Sequence, residues 1–368
     1  METLLRRTKL YDEHLALGGR MVPFAGWELP VQYETGPTVE HQAVRTAAGL
    51  FDIDHMAQIR VSGPDAEAFL NYLQTADVRR VEPMGAQYGV MTYADGGVVD
   101  DIFIYRLEDV WWVIVNASNR AKDLSWMHAH ATDFEVEIAD LSDETYMLAL
   151  QGPKAQAILQ RVTDIDLAAV PFHTCAWAKV AGVQTLIGAT GYTGEYGYEL
   201  FFPAEQAVHV WRTLLETGKD EGLLPCGLAA RDSLRFEPAL PLYGHELTAH
   251  IDPFTAGLGI FVRFDKGDFI GRDALLKIKL EGPAKRLVGF EMQETAVPRE
   301  GYTVMVNGEP IGSVTTGMKS PTTGRFLGLA IVPAPYAAPG TEIAIVVRDK
   351  QKKAVVVKRP FYIPAYRR

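Results

Sequence analysis

The sequence repeats one frame at two places, Val61-Ser-Gly-Pro-Asp-Ala-Glu-Ala-Phe-Leu70 and Leu150-Gln-Gly-Pro-Lys-Ala-Gln-Ala-Ile-Leu159. Each copy follows an apolar run of strand length. The Gly-Pro pair is typical of a turn before a helix, because proline loses no hydrogen bond at a first helical turn. Each copy therefore predicts a strand, a turn and a helix. Two such units favour two similar α+β lobes, and the alternative is one common strand-to-helix turn used twice.

The segments around the two copies have their own patterns. Between them we predict strands over 87–93, 98–107 and 111–116, with a hairpin turn at Ala94-Asp-Gly-Gly97 and a helix to about 130. Elsewhere we predict helices over 4–17, 38–48 and 204–217 and from about 227, strands over 183–190 and 198–202, and a Pro- and Gly-rich irregular loop over 21–30. After about residue 286, short β-rich runs and the Asn307-Gly308 turn predict a small β-barrel or sandwich.

Composition narrows the classes of function. The chain has 36 basic and 46 acidic residues and a net charge of −10, which disfavours nucleic acid as a partner. No apolar run approaches the length of a membrane helix, and the first residues carry no secretory signal. The two cysteines and nine histidines lack metal-ligand spacing, so we expect reduced, buried cysteines and no metal. We expect a cytoplasmic protein, or one of the mitochondrial matrix if a transit peptide has been removed.

Two acids interrupt the apolar strand predicted over 98–107. Adjacent residues of a strand face opposite sides, so Asp100 and Asp101 cannot act as a paired dyad. We expect one to face the apolar interior and the other a lobe interface or solvent. An inward carboxylate is costly unless it is paired or functional. The alternative to a functional role is an edge strand with a buried hydrogen bond to a turn.

Arg231 and Arg235 lie four residues apart on a largely apolar helix. A solvated ion-pair face is the plain interpretation. The apolar neighbours, however, require a partner for such an arginine, either Glu199 or a ligand carboxylate. Together, Tyr192, Glu199, Arg231 and Asp101 would line a mostly neutral pocket suited to a heterocycle with amide-like edges and an acidic tail.

Ordered motifs over nearly the whole chain resemble the aminomethyltransferase (T-protein) family of the glycine cleavage system. They include Thr8-x-Leu-Tyr-Asp-x-His14, Met21-Val-Pro-Phe-Ala-Gly-Trp27, His41-x-Ala-Val-Arg45, Gly96-Gly-Val-Val-Asp-Asp101, Gly191-Tyr-Thr-Gly-Glu195, Pro225-Cys-Gly-Leu-Ala-Ala-Arg-Asp232 and Leu242-Tyr-Gly-His-Glu-Leu247. The resemblance implies an α+β cloverleaf of two related lobes around a central folate pocket, with a C-terminal β-barrel. It implies a folate-binding region over 1–280, with lobes at about 1–50 plus 140–280 and about 51–139, and a barrel over 281–368.

The same resemblance implies an activity. The expected enzyme takes an aminomethyl group from the lipoyl arm of the H-protein and passes it to tetrahydrofolate, giving 5,10-methylenetetrahydrofolate and ammonia. The expected partners are the lipoylated H-protein and tetrahydrofolate as co-substrate, with no metal, nucleic acid or membrane.

The resemblance also assigns roles to residues. Asp101 matches the catalytic aspartate near the folate N10, and Glu199 matches the carboxylate that binds the amino edge of the pterin. The other folate-binding positions are Arg231, Tyr366 and Arg299, with Met56, Tyr88, Trp112 and Ile114 at the pocket wall. Tyr192, placed in the pocket by the argument on Arg231 above, completes the candidate set.

Three positions depart from the family pattern. Asp54 stands where serine is usual and adds a negative charge near the expected pocket. Tyr196 replaces Asp or Ala, and Phe236-Glu-Pro brings a proline to a helix end. Asp54 and Tyr196 leave one alternative open, a tetrahydrofolate-dependent one-carbon transferase or demethylase acting on a small methylated donor. A second alternative is a non-enzymatic folate-binding regulatory protein on the same fold, which the retained Asp101 disfavours.

Overall fold

The computed structural model describes residues 4–364, which fold into helices and strands in mixed order. The helices are α1 Tyr11–Ala16, α2 Pro37–Thr46, α3 Ala66–Leu73, α4 Arg120–Ala129, α5 Ala155–Gln160, α6 Ala207–Gly218, α7 Leu228–Phe236, α8 Pro253–Ala256 and α9 Arg272–Glu281. The first ten strands are β1 Arg6–Arg7, β2 Arg20–Phe24, β3 Trp27–Gln32, β4 Ala48–Asp52, β5 Ala57–Ser62, β6 Ala86–Thr92, β7 Val98–Arg106, β8 Trp111–Val115, β9 Glu137–Asp140 and β10 Thr145–Gln151. The others are β11 Cys175–Val180, β12 Val183–Gly188, β13 Gly197–Pro203, β14 Leu223–Pro225, β15 Lys285–Met292, β16 Thr303–Val306, β17 Glu309–Lys319, β18 Phe326–Pro333, β19 Glu342–Val347 and β20 Lys350–Val357. Among the helices of this described range, none has the length and apolar character to span a bilayer.

The chain forms two compact units. Unit 1 comprises the residues up to Phe69 together with Val78–Tyr88 and Ile102–Leu234. Unit 2 comprises Leu70–Asp77, Gly89–Asp101 and the residues from Arg235 onward. The chain passes from one unit to the other within α3, between Asp77 and Val78, and within β6, β7 and α7.

Unit 1 is built on a six-stranded sheet of order β11-β12-β13-β10-β4-β14. Its main core joins this sheet to α5 and α6, with Leu148, Leu150, Ile158, Trp211 and Leu214 all fully buried. Strands β8, β5 and β9 belong to a second sheet, and β1, β3 and β2 form a third. These sheets carry the polar side chains described below.

The repeated Gly-Pro frame forms a strand, a turn and a helix in both copies, as predicted. Gly63, after β5, has φ +109°, and Gly152, after β10, has φ +126°. A Cβ atom at Gly63 would lie 2.4 Å from the carbonyl oxygen of Glu135, and one at Gly152 would lie 2.6 Å from that of Ala47. Only glycine fits either turn, because both the backbone angle and the close approach exclude a side chain.

The N-terminal predictions are wrong in three respects. Arg6–Arg7 is a strand that pairs in parallel with Trp27 and Glu28, so the first helix covers only Tyr11–Ala16. The expected irregular loop over 21–30 is the β2–β3 hairpin, closed by Ala25 and Gly26 at φ 49° and 82°. Positive φ at both residues is what a two-residue hairpin turn requires, and the proline in β2 is tolerated because β2 is an edge strand. Finally, α2 ends at Thr46 and not at residue 48, because β4 already begins at Ala48.

Unit 2 contains a closed barrel of order β15-β18-β17-β16-β19-β20. Asn307 and Gly308, at φ 51° and 85°, form the predicted hairpin turn between β16 and β17. Phe290, Val304, Ala330 and Ile345 are fully buried in its core. The prediction of an α+β fold with a C-terminal barrel is therefore confirmed, although the sequence patterns gave no sign of α9.

Candidate functional site

Glu199 lies on β13 in unit 1, and the protein holds one of its two carboxylate oxygens. Oε2 accepts hydrogen bonds from Thr190 Oγ1 at 2.6 Å and from Tyr105 OH at 3.0 Å. Burial, followed by the charge of Glu199, raises the pKa of Tyr105 well above its usual value, so the phenol remains a donor. Within residues 4–364, Oε1 makes no hydrogen bond. Glu199 therefore has a fixed orientation and one oxygen available to a ligand.

Arg231 lies on α7 in the same unit. Its guanidinium carbon is 4.9 Å from the centroid of the Tyr192 ring, a cation–π distance. Burial lowers the pKa of Arg231, and the nearby Tyr192 and Glu199 oppose this shift. Arg231 makes no ion pair with any carboxylate in the described part of the chain. The sequence suggested Glu199 or a ligand carboxylate as the partner of Arg231. Glu199 influences Arg231 electrostatically but forms no ion pair with it.

The loop Gly191–Gly197 carries Tyr192 and is shaped by buried side chains. Arg45 donates to the Thr193 carbonyl at 2.8 Å and forms an ion pair with Glu195 at 3.0 Å. The Gln151 amide donates to the Thr190 carbonyl at 3.0 Å and accepts from Thr193 Oγ1 at 2.8 Å. These bonds hold the loop in the shape of a turn.

Several predicted wall residues share one apolar cluster in unit 1. Trp112 and Ile114 on β8 lie opposite Tyr105 and Phe103 on β7. Both belong to the buried cluster that includes Tyr105, and Met56 packs against it. The structure thus brings Met56, Trp112 and Ile114 together with the tyrosine that donates to Glu199. Tyr88 is partly buried at the point where β6 leaves unit 1.

Asp100 and Asp101 lie on the part of β7 that belongs to unit 2. Asp100 is fully buried and Asp101 is partly exposed, as strand alternation predicts. Arg299 is exposed between β15 and β16 of the same unit. Tyr366 lies outside the described residues.

Two sequence interpretations need correction. Arg235 does not lie on a solvated face: it is 1% exposed and pairs at 2.8 Å with the fully buried Glu246, because α7 continues into the interior of unit 2. Asp54 does not add a negative charge near neutral pH. Burial and the neighbouring Asp52 raise its pKa to about 9, so it stays protonated. Asp52 keeps its charge because Thr8, His14 and Tyr146 all donate to its Oδ2.

His55 is a residue that sequence reasoning missed. It is 5% exposed, and its Nδ1 has no hydrogen-bond partner among the described residues. Burial and the charge of Arg231 lower its pKa to about 3, so the imidazole is neutral. The sequence did offer one sign of His55: it lies between Asp54, which departs from the family pattern, and the predicted wall residue Met56. In the described range, no group of three or more His, Cys, Asp and Glu residues is arranged to hold a metal ion.

Two family models together match nearly the whole chain. The GCVT N-terminal domain family matches residues 10–266, and the glycine cleavage T-protein C-terminal barrel domain family matches residues 285–362. An aminomethyltransferase of Alkaliphilus oremlandii is 49% identical over 98% of both chains. One of Bacillus subtilis is 48% identical over 98% of this chain and 99% of that protein.

A solved structure agrees as well. The crystal structure of the glycine cleavage system aminomethyltransferase T from Bartonella henselae superposes with a TM-score of 0.91 at 32% identity, covering 99% of this chain and all of that one. These similarities support neither the demethylase nor the non-enzymatic alternative. The chain belongs to the T-protein family and is an aminomethyltransferase of the glycine cleavage system.

Proposed function

We propose that this aminomethyltransferase uses tetrahydrofolate as acceptor and the lipoyl arm of the H-protein as donor. In the reaction, the bond between the lipoyl sulfur and the aminomethyl carbon breaks. The carbon then bridges N5 and N10 of the folate, which lose their two N–H protons. One of these protons goes to the sulfur, and the other goes to the protonated amino group, which leaves as ammonium when its bond to the carbon breaks. We further propose that the enzyme acts in the cytoplasm. We also propose that a folate-binding region ends at about residue 280 and is followed by a barrel domain.

One observation carries the proposal: Glu199 and Arg231 in unit 1 both have unused hydrogen-bonding capacity. The Oε1 atom of Glu199 has no partner within residues 4–364, and the guanidinium of Arg231 has no ion pair there. A carboxylate oxygen of fixed direction suits the amino edge of a pterin, and a desolvated cation suits an acidic or carbonyl group. Met56, Trp112, Ile114 and Tyr192 would supply apolar and aromatic contacts to such a ligand.

Within unit 2, we propose Asp101 as the catalytic carboxylate. The transfer passes through a cationic, iminium-like carbon, which a nearby carboxylate stabilises, and the same group can help to move a proton. Partial exposure leaves Asp101 accessible to a substrate. We also propose that Tyr88, Arg299 and Tyr366 contact the folate, with Arg299 meeting carboxylates of its glutamate tail.

We propose that Tyr196 has a packing role and does not select another donor. Its ring packs 5.8 Å from that of Tyr198 and 6.2 Å from that of Phe172, and its hydroxyl donates to the Val170 carbonyl at 3.4 Å. The substituted side chain is therefore engaged in packing within unit 1.

The test is calorimetric titration of the full chain with tetrahydrofolate, comparing wild type with Glu199→Ala. The matched control is Glu205→Ala, which removes an exposed glutamate just after β13. We expect one-site binding that weakens at least tenfold in Glu199→Ala and is unchanged in the control. Equal affinity in wild type and Glu199→Ala would remove Glu199 from the site. A folded wild-type chain that neither binds tetrahydrofolate nor turns over aminomethyl-loaded H-protein would overturn the proposal.

A further inference from the structure

Gln74 is a buried amide whose hydrogen-bonding atoms are both unused. It follows the last residue of α3 and bridges to Met91 of β6 in unit 2, where Thr75 N donates to the Val90 carbonyl at 2.9 Å. Gln74 is 1% exposed, and within residues 4–364 neither Oε1 nor Nε2 of its side chain has a hydrogen-bond partner. Buried polar groups are nearly always paired in folded proteins, so this amide requires an explanation.

The Gln74 amide occupies the space that a side chain at Gly89 would fill. A Cβ atom at Gly89 would lie 1.3 Å from Gln74 Oε1 and 2.5 Å from its Cδ. Gly89 has no left-handed backbone angle that would demand glycine. The missing side chain at Gly89 therefore makes room for the Gln74 amide on this face of the sheet.

The same face carries Asp101. At the turn of the β6–β7 hairpin, Tyr93 N donates to the Gly97 carbonyl at 2.8 Å, which pairs these two residues. Gly89 is four residues before Tyr93, and Asp101 is four residues after Gly97, so the continued register places them opposite each other. Gly89 is the first residue of β6 in unit 2, and Asp101 is the last residue of β7 in that unit. Directly opposed side chains share a face with Cβ atoms about 5 Å apart.

We propose that Gln74 is a further binding residue for the folate co-substrate, with its amide hydrogen-bonding the reacting end of the molecule beside Asp101. This inference rests on the proposed function. A reduced pteridine carries N–H donors and a carbonyl acceptor, which are complementary to the two unused atoms of an amide. Binding would satisfy both atoms of Gln74, and the loss of that complementarity would cost affinity for the co-substrate.

The experiment compares the wild-type full chain with Gln74→Met, which keeps the length of the side chain and removes its polar atoms. A second variant, Gly89→Ala, leaves Gln74 in place but puts a methyl group where its amide lies. The matched control is Thr163→Val, which removes a buried hydroxyl without a partner in unit 1. Affinity for tetrahydrofolate, KM and kcat with aminomethyl-loaded H-protein, and the thermal unfolding midpoint are measured for each.

We expect Gln74→Met and Gly89→Ala each to raise the Kd and KM for tetrahydrofolate about tenfold or more. Gln74→Met should keep or raise the unfolding midpoint, because it removes from the interior a polar group that has no partner within residues 4–364. The control should keep wild-type affinity. Wild-type affinity in Gln74→Met would overturn the inference and leave the proposed function standing, whereas a wild-type chain that fails to bind tetrahydrofolate would overturn both. If Gly89→Ala does not fold, Gln74→Met decides alone.

Discussion

Arg231 and Tyr192 make a cation–π contact of 4.9 Å in unit 1, where the guanidinium has no ion pair within the described residues. The contact joins α7 to the loop Gly191–Gly197, whose shape is held by Arg45 and Gln151. A partly buried cation that is held by an aromatic face is available to an incoming anion or carbonyl group.

This relationship predicts how Arg231 and Tyr192 contribute to binding. Arg231→Met should weaken tetrahydrofolate binding at least tenfold, while the unfolding midpoint stays near the wild-type value because no ion pair is broken. Tyr192→Phe keeps the aromatic face and should bind like wild type. Tyr192→Leu removes it and should cost about 0.5–2 kcal/mol of binding. Calorimetric titration measures all three, and a large loss of stability in Arg231→Met would show that its role is structural.

Asp101→Asn should lower the rate of aminomethyl transfer roughly 10²–10⁴-fold, the usual contribution of a positioned acid–base group. Because Asp101 is partly exposed, the variant should fold normally and still bind tetrahydrofolate. The coupled assay with aminomethyl-loaded H-protein measures the rate, and the exposed Asp109→Asn is the matched control. Turnover near the wild-type rate in Asp101→Asn would exclude Asp101 from the mechanism.

Asp54 should make the free energy of unfolding depend on pH. Burial and Asp52 raise its pKa from 3.8 to about 9, so the folded state keeps a proton that the unfolded state releases. Stability conferred at low pH is therefore lost as the pH rises from about 4 towards 9, by at most about 1.4 kcal/mol per pH unit. Asp54→Ser should remove this loss. Urea unfolding at pH 6 and pH 8.5 should show the variant gaining on wild type at the higher pH, and parallel behaviour at both would contradict the prediction.

The buried pair of Arg235 and Glu246 predicts the opposite dependence. Burial alone would raise the pKa of Glu246, but the charge of Arg235 and the hydroxyls of Thr315 and Thr316 lower it below 4.5. Its stabilising effect is thus present above pH 4.5 and is lost as the pH falls through the lowered pKa. Glu246→Gln should cost about 3–5 kcal/mol at pH 7, because it removes the carboxylate from a buried ion pair. Denaturant unfolding at pH 7 and pH 4 measures this cost, which should shrink at pH 4.

The two cysteines should be unreactive in the folded protein. Both are free and buried, and burial raises the pKa of Cys175 to about 12 and that of Cys226 well above its usual value. Thiolate is the reactive form, so a colorimetric thiol reagent should label neither cysteine at pH 8. Both should react after unfolding in guanidinium. Rapid labelling of the native chain would show that one of them is accessible.

Local patterns in the sequence predicted most of the regular structure. These elements depend on the backbone preferences of a few neighbouring residues. They are the turns at Gly63 and Gly152, the hairpin at Asn307-Gly308 and the strands β6, β7 and β8. The first helix and the 21–30 segment were mispredicted because their structure depends on distant pairing. Arg6–Arg7 becomes a strand only because Trp27 and Glu28 lie beside it.

By itself the sequence determined the repeated turns, the barrel, the family and the identity of the polar residues proposed for the site, because these follow from residue types and their order. Only the tertiary structure decided their states. Asp54 is neutral because it is buried beside Asp52, Arg235 is paired because Glu246 is buried with it, and Gln74 fills the space left by Gly89. Each of these states depends on solvent exclusion and on neighbours far away in the chain, which residue types and their spacing do not specify.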